Sequence, residues 1–192
     1  MSRTVLTILL ISLITTTTGI NAAEDPGNIV VMPVEYLDKS LEEGASVMEE
    51  IIADYFANNH SVLIVSEEQQ GALAGADTGS RSQLVRTVTE KMAGDQALIL
   101  TLQRYRERAG DNYSVKEPAS LAFEFKLVNV KDGKTACSGS FDETQESLTD
   151  NILNFPRAFR RGFKWITVRQ MAGEAVRETF AACPALQGKP GR

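Results

Sequence analysis

Ala97-Leu98-Ile99-Leu100-Thr101-Leu102 is the stretch on which the fold turns. It is apolar except for Thr101, too short for an independent helix, and without the polar alternation of a half-exposed strand. A run of this kind reads as a central strand covered on both faces. At Gln103 it gives way to an alternating, charged stretch through Arg108, so the strand is expected to run out into solvent. A strand covered on both faces needs helices on either side of it, and the flanking sequence supplies them.

Upstream, Ser80 and Gln83 have the spacing of a helix start, and Leu84, Val85, Val88 and Met92 form its apolar stripe, closed by Gly94. Gly75 to Gly79 is the loosest part of the chain. Before it, Ser66 and Gln69 repeat the capping spacing for a short helix that stops near Gly75, and Val62 to Val65 is a strand. Ser40 with Glu43 caps a longer helix that carries Leu41, Ala45, Met48, Ile52, Tyr55 and Phe56 on one side. Glu42, Glu49, Glu50 and Asp54 lie mostly on the other, and Asn58-Asn59 ends it. Ile29 to Val34 is a buried strand by its apolar run, broken by Asp38-Lys39-Ser40.

Downstream, Gly110 to Pro118 reads as a loop. Leu121, Phe123, Phe125 and Leu127 alternate with Ala122, Glu124 and Lys126, the period of a half-buried strand. Asp132-Gly133 is a hairpin turn signal, and Thr135 to Phe141 returns as the paired strand. A polar stretch, Asp142 to Asn151, leads into an aromatic and basic one from Ile152 to Trp165. Thr167 with Gln170 caps a last helix, whose Met171, Ala172, Ala175, Val176, Thr179 and Phe180 point to the core. Pro184 stops it. The order strand, helix, strand, helices, strand, hairpin, helices predicts an α/β fold. It forms a single domain over 28–186 with a mixed β-sheet, parallel crossovers early and an antiparallel hairpin late, flanked by helices. Residues 187–192 read as a flexible tail.

The amino terminus reads differently from the rest. Arg3 precedes an apolar run from Val5 to Ile14, and Ile20-Asn21-Ala22-Ala23 has the small-residue pattern of a cleavage site. Residues 1–22 are therefore expected to be a cleavable signal peptide, because about 10 apolar residues fall short of the ~20 that span a bilayer. No lipobox cysteine lies near the cut, so the expected location is the periplasm. With Arg3 removed, 19 basic residues face 25 acidic ones, a net charge of −6 that argues against nucleic acid as a partner.

That charge is segregated. Glu24 to Glu68 holds 11 acidic residues against the single Lys39, whereas Asn151 to Gln170 holds Arg157, Arg160, Arg161, Lys164 and Arg169 and no acidic residue. Within the basic stretch Ile152, Phe155, Phe159 and Phe163 recur at helical spacing. Arg157, Arg160, Arg161, Lys164 and Trp165 are the candidate partner-binding residues, and the segment 152–169 the candidate surface. It suits an acidic protein partner, an anionic membrane or the cell wall; solvated arginines outside a core aromatic stripe are the alternative.

Cys137 and Cys183 are the two cysteines, and an even count in an exported chain favours one disulfide, clamping the last helix to the hairpin. Two thiols and one distant histidine do not make a metal site. His60 sits at a helix end and beside no nucleophile motif. Gly71, Gly75 and Gly79 follow no strand, so they make no phosphate loop. Glu67-Glu68 and Asp142-Glu143 are sequence neighbours that point apart on a regular element. No catalytic residue, cofactor or metal is expected, and an enzyme is the rival reading only through a site of unrecognised type.

Several phrases resemble a family. Gln96 to Leu102, Pro118-Ala119-Ser120-Leu121-Ala122-Phe123, Ser138-Gly139-Ser140-Phe141-Asp142-Glu143-Thr144-Gln145 and Arg160-Arg161-Gly162-Phe163-Lys164-Trp165 are similar to a family of bacterial envelope proteins of unknown function, many of them predicted lipoproteins. The layout also resembles the wider group that includes the curli secretion protein CsgG, the penicillin-binding-protein activator LpoB and the amino-terminal domain of TolB. The resemblance implies a non-enzymatic periplasmic module that binds another envelope protein in assembly or regulation. The chain lacks the long amphipathic hairpins of a CsgG-type pore.

Overall fold

A computed structural model describes residues 27–75, 79–110, 115–145 and 165–187. The strand read first from the sequence, β4 (Gln96–Arg106), lies in the middle of a mixed sheet. On one side it pairs in parallel with β1 (Ile29–Val31), Val31 opposite Leu98, and with the short β2 (Glu35–Tyr36), Tyr36 opposite Leu102. Beyond β1 lies β3 (Val62–Ile64), also parallel. On the other side β4 pairs antiparallel with β7 (Ser120–Asn129), which pairs in turn with β8 (Thr135–Thr144). The sheet order is β3-β1-β4-β7-β8. The expected α/β class with early parallel crossovers and a late antiparallel hairpin is what the chain adopts.

From β1 the chain reaches β3 on one side through α1 (Glu42–Phe56). It then reaches β4 on the other side of β1 through α2 (Glu67–Ala74) and α3 (Arg81–Lys91). Right-handed crossovers to opposite sides place their helices on opposite faces. Two apolar clusters result. One packs Ala45, Met48, Ile52 and Phe56 of α1 and Met171, Ala172, Ala175, Val176 and Phe180 of α4 (Val168–Ala181) on Leu98, Leu100, Phe123 and Phe125. The other packs Val85 and Val88 of α3 on Val30, Met32 and Ala97. Phe180 is fully buried and lies 4.9 Å from Phe125 ring to ring, 67° from coplanar, an edge-on contact.

Several boundaries differ from the sequence reading, each for a physical reason. The strand expected over Ile29 to Val34 ends at Val31, ahead of Pro33, which has no N–H for the ladder, and pairing with β4 resumes beyond it in β2. The Ser40/Glu43 cap does not form: the Asp38 side chain takes the Ser40 N–H at 2.8 Å and sets a 3-10 turn over Lys39–Leu41. Helix α1 then starts behind Leu41 with no side-chain cap. The charged end of β4 runs into solvent as expected, Gln103 and Arg106 exposed, while a bulge between Leu102 and Arg104 keeps it paired with β7 as far as Arg106 and Ser120. The stretch expected to be a loop over Gly110 to Pro118 contains a second, two-stranded sheet, β5 (Ala109–Gly110) with β6 (Val115–Glu117). The capping boxes at Ser66/Gln69 and Thr167/Gln170 form in both directions, and Gly133 makes the hairpin turn at φ +70°.

Candidate functional site

Of the residues singled out above, Cys137 and Cys183 are joined in a disulfide with Cα atoms 6.0 Å apart, fastening the end of α4 to β8. Arg157, Arg160, Arg161 and Lys164 lie outside the described residues, as do residues 1–22. Trp165, the last of the candidate contact residues, is half-buried just before α4. The described flanks of the basic segment meet: the Ile166 N–H donates to the Gln145 side-chain Oε1 at 3.1 Å, and the Gln145 N–H donates to the Ala119 carbonyl at 2.9 Å. Gln145, just after β8, and Ile166, just before α4, are therefore neighbours.

Helix α1 carries the acidic charge on the face of the sheet that α4 shares. Glu42, Glu43, Glu50 and Asp54 are exposed there, and no basic residue lies on that helix. Arg169 of α4 donates from Nη2 to Glu50 Oε2 at 2.8 Å, and this bond raises the guanidinium pKa above its ordinary value. Between α1 and α4 an open groove of about 680 Å³ is floored by Ile51, Tyr55 and Ile166 and walled by Asp54, Arg169 and Arg177.

A second concavity, of about 320 Å³, lies at the carboxyl ends of β1 and β3. Glu49 of α1 closes it, its Oε1 accepting the Val34 N–H at 3.0 Å. Burial pushes the Glu49 carboxyl pKa up, the Val34 bond opposes that, and Glu67 adds to the rise. Ile64 borders this concavity, and Leu37 stands 100% exposed on the loop beyond β2. The only sequence signal for Leu37 is a leucine in a short stretch that also holds the acidic Glu35 and Asp38.

On the face that α3 covers, the helix leaves β7 bare, and an open groove of about 870 Å³ runs between them. Its floor is Val85, Ala97, Ile99 and Val128, and Arg86 and Lys131 stand on its rim.

Carboxylates elsewhere have structural work. Glu67 and Glu68 occupy the first turn of α2, where negative charge is favoured, and Asp142 of β8 pairs with Arg104 of β4 over the intervening β7. His60 is exposed in the turn after α1. Among the described residues no group of three or more His, Cys, Asp or Glu could hold a metal ion, and no helix is long and apolar enough to cross a membrane. What the described residues offer is surface: an acidic α1, open grooves and an exposed leucine.

The fold is that of an α/β module with a mixed sheet sandwiched unequally by helices. Among solved structures, the PelC dodecamer from Paraburkholderia phytofirmans is similar at TM-score 0.53 and 12% identity, covering 85% of this chain and 90% of that one. The protein CT253 from Chlamydia trachomatis matches at TM-score 0.47 and 11% identity, over 84% and 98% of the two chains. The carboxyl-terminal domain of LpoB from Salmonella enterica matches at 0.39 and 16%, over 62% and 84%. No protein-family model and no curated protein matches the sequence.

Proposed function

We propose that this chain is an exported protein of the bacterial envelope that acts without catalysis, as a binding or assembly module, and that copies of itself are among its partners. The observation that carries the reading is the fold shared over most of its length with a protein solved as a dodecamer. Segregation of acidic and basic residues supports it, since complementary surfaces on one chain favour association. The signal-like amino terminus and the Cys137–Cys183 disulfide support an oxidising, extracytoplasmic location. The likeness to CsgG and TolB inferred from element order belongs to this reading, as does the partner-binding role of Arg157, Arg160, Arg161, Lys164 and Trp165.

Three measurements test it. Mass analysis of the periplasmic protein gives a mature terminus at Ala23 or Glu24; an intact Met1 terminus in the membrane fraction overturns the export reading. Sedimentation of the purified protein gives a species larger than the monomer. Capture from envelope extract yields a stoichiometric protein partner whose binding weakens with salt and on joint replacement of Arg157, Arg160, Arg161 and Lys164 by glutamine. If that variant keeps its melting temperature and binds as before, the 152–169 surface drops out of the reading.

A further inference from the structure

Strand β8 is the last of the sheet, and no strand pairs with its outer edge among the described residues. The Gln145 N–H, just past its end, donates to the Ala119 carbonyl and continues the register that sets Thr144 opposite Ser120. Hydrogen-bonded and non-bonded pairs alternate along an antiparallel ladder. Counted back from Gln145, therefore, Glu143, Phe141, Gly139 and Cys137 turn their main-chain groups to β7. Thr144, Asp142, Ser140 and Ser138 turn theirs outward, and all four are exposed. From Cys137 to Thr144 the pairing with β7 is regular, and the edge carries neither lysine nor proline, the residues that commonly blunt one. The opposite edge, β3, is guarded by being only 3 residues long.

This edge is complementary to itself. With a second copy laid antiparallel about a twofold axis through Ser140, Ser140 meets its own counterpart and Ser138 of each copy lies opposite Asp142 of the other. About six main-chain hydrogen bonds close across those three pairs. Ser138, Ser140 and Asp142 share the sheet face of Lys126, which is exposed, in register with Ser138, and without an ion-pair partner among the described residues. Asp142 gives Oδ1 to Arg104 over the intervening Ala122, which leaves Oδ2 without a partner among those residues. Across the new seam Lys126 of one copy stands the same two strand spacings, roughly 10 Å, from Asp142 of the other, over Ser138. Both ends of the seam gain such a pair, and no like charges fall directly opposite each other.

We propose that β8 of one copy pairs antiparallel with β8 of a second about Ser140, Lys126 of each facing Asp142 of the other. The proposal rests on the self-association put forward above, and it names the surface that carries it. Such a contact is isologous, so it closes as a dimer and joins the two sheets into one. Main-chain hydrogen bonds hold the seam, and the charge pairs fix its register.

The test uses the oxidised, full-length mature chain in sedimentation velocity over a concentration series, with melting temperatures as the check on folding. Ser140→Pro removes an outward N–H at the axis and none that β7 uses, so the fold survives and self-association falls by about tenfold or more. Lys126→Glu and Asp142→Lys alter exposed positions and keep the wild-type melting temperature. Each sets like charges across both ends of the seam and weakens self-association by about tenfold or more. Mixed in equal amounts, these two variants associate with each other, because the heterodimer restores opposite charges at both ends. If Ser140→Pro lowers the melting temperature, this mixture decides alone. A wild-type protein that stays monomeric throughout sinks both self-association and this contact. An assembly that survives a folded Ser140→Pro leaves self-association standing and overturns the contact, and so does a mixture that associates no better than either charge variant by itself.

Discussion

The Ile166 N–H and the Gln145 side chain are joined at 3.1 Å in a buried hydrogen bond, bringing together the two flanks of the basic segment. Gln145 is 8% exposed and Ile166 likewise 8%, so water does not replace a lost partner there. Gln145→Ala leaves the Ile166 N–H orphaned and is expected to cost about 1–3 kcal/mol. Thermal unfolding checks this, with a fall in Tm of roughly 2–4 °C per kcal/mol for a chain of this size.

The Cys137–Cys183 bridge closes a loop with a sequence separation of 46 residues. On the chain-entropy account, such a loop contributes about 4 kcal/mol by restricting the unfolded chain. Replacing both cysteines by serine should lower the urea midpoint accordingly and leave the slope of the transition smaller-changed than the midpoint. Thiol titration of denatured, unreduced periplasmic protein should find no free thiol, because both sulfurs are in the bridge.

Gly94 follows α3 at a place where backbone and strand nearly touch. A Cβ there would lie against Val30 Cγ2 and 2.9 Å from Thr89 Cγ2, both side chains fully buried. Gly94→Ala is therefore expected to destabilise by about 1–3 kcal/mol through overpacking. The positive φ that ends the helix belongs instead to Ala93, at 53°. Ala93→Gly relieves that backbone and should raise Tm slightly, so the paired variants separate crowding from backbone strain.

Glu49 gives the fold a pH dependence of definite sign. Burial raises its folded pKa above the unfolded value, so its favourable contribution is fully present below the unfolded pKa and fades as pH rises through the folded one. Glu49→Gln keeps an acceptor for the Val34 N–H but removes the titration. The difference in Tm between that variant and wild type should move in the variant's favour from pH 4 to pH 7. Glu49→Ala removes the acceptor and should cost about 1 kcal/mol in this range. Parallel melting curves across the range decide it.

Much of the architecture was legible because its signals are local. Ser66/Gln69 and Thr167/Gln170 make capping boxes as their spacing predicts, since each partner is three residues from the other and little else competes. Ser40/Glu43 has the same spacing and fails, because the Asp38 side chain, two residues away, takes the Ser40 N–H that Glu43 would need. The alternation of Leu121, Phe123, Phe125 and Leu127 reports burial on one face correctly, as that period is a property of the strand itself. The charged end of β4 is exposed or half-exposed as its alternation predicts, but its pairing up to Arg106 is decided by β7 and a bulge, which no local pattern shows.

The sequence by itself determined the α/β class, the central place of Ala97 to Leu102 and the hairpin, and it favoured the one intrachain disulfide two cysteines allow. These follow from period, turn chemistry and cysteine number, each readable over a few residues or by count. Only the tertiary structure decided which face each helix covers, that an open groove lies between α3 and β7, and that Leu37 is fully exposed while Glu49 is drawn in. It also decided that Arg169 meets Glu50 across 119 residues of chain. Such relations come from strand order and crossover direction, which bring distant residues together by pairing and packing, and no local pattern in the chain encodes the distances between them.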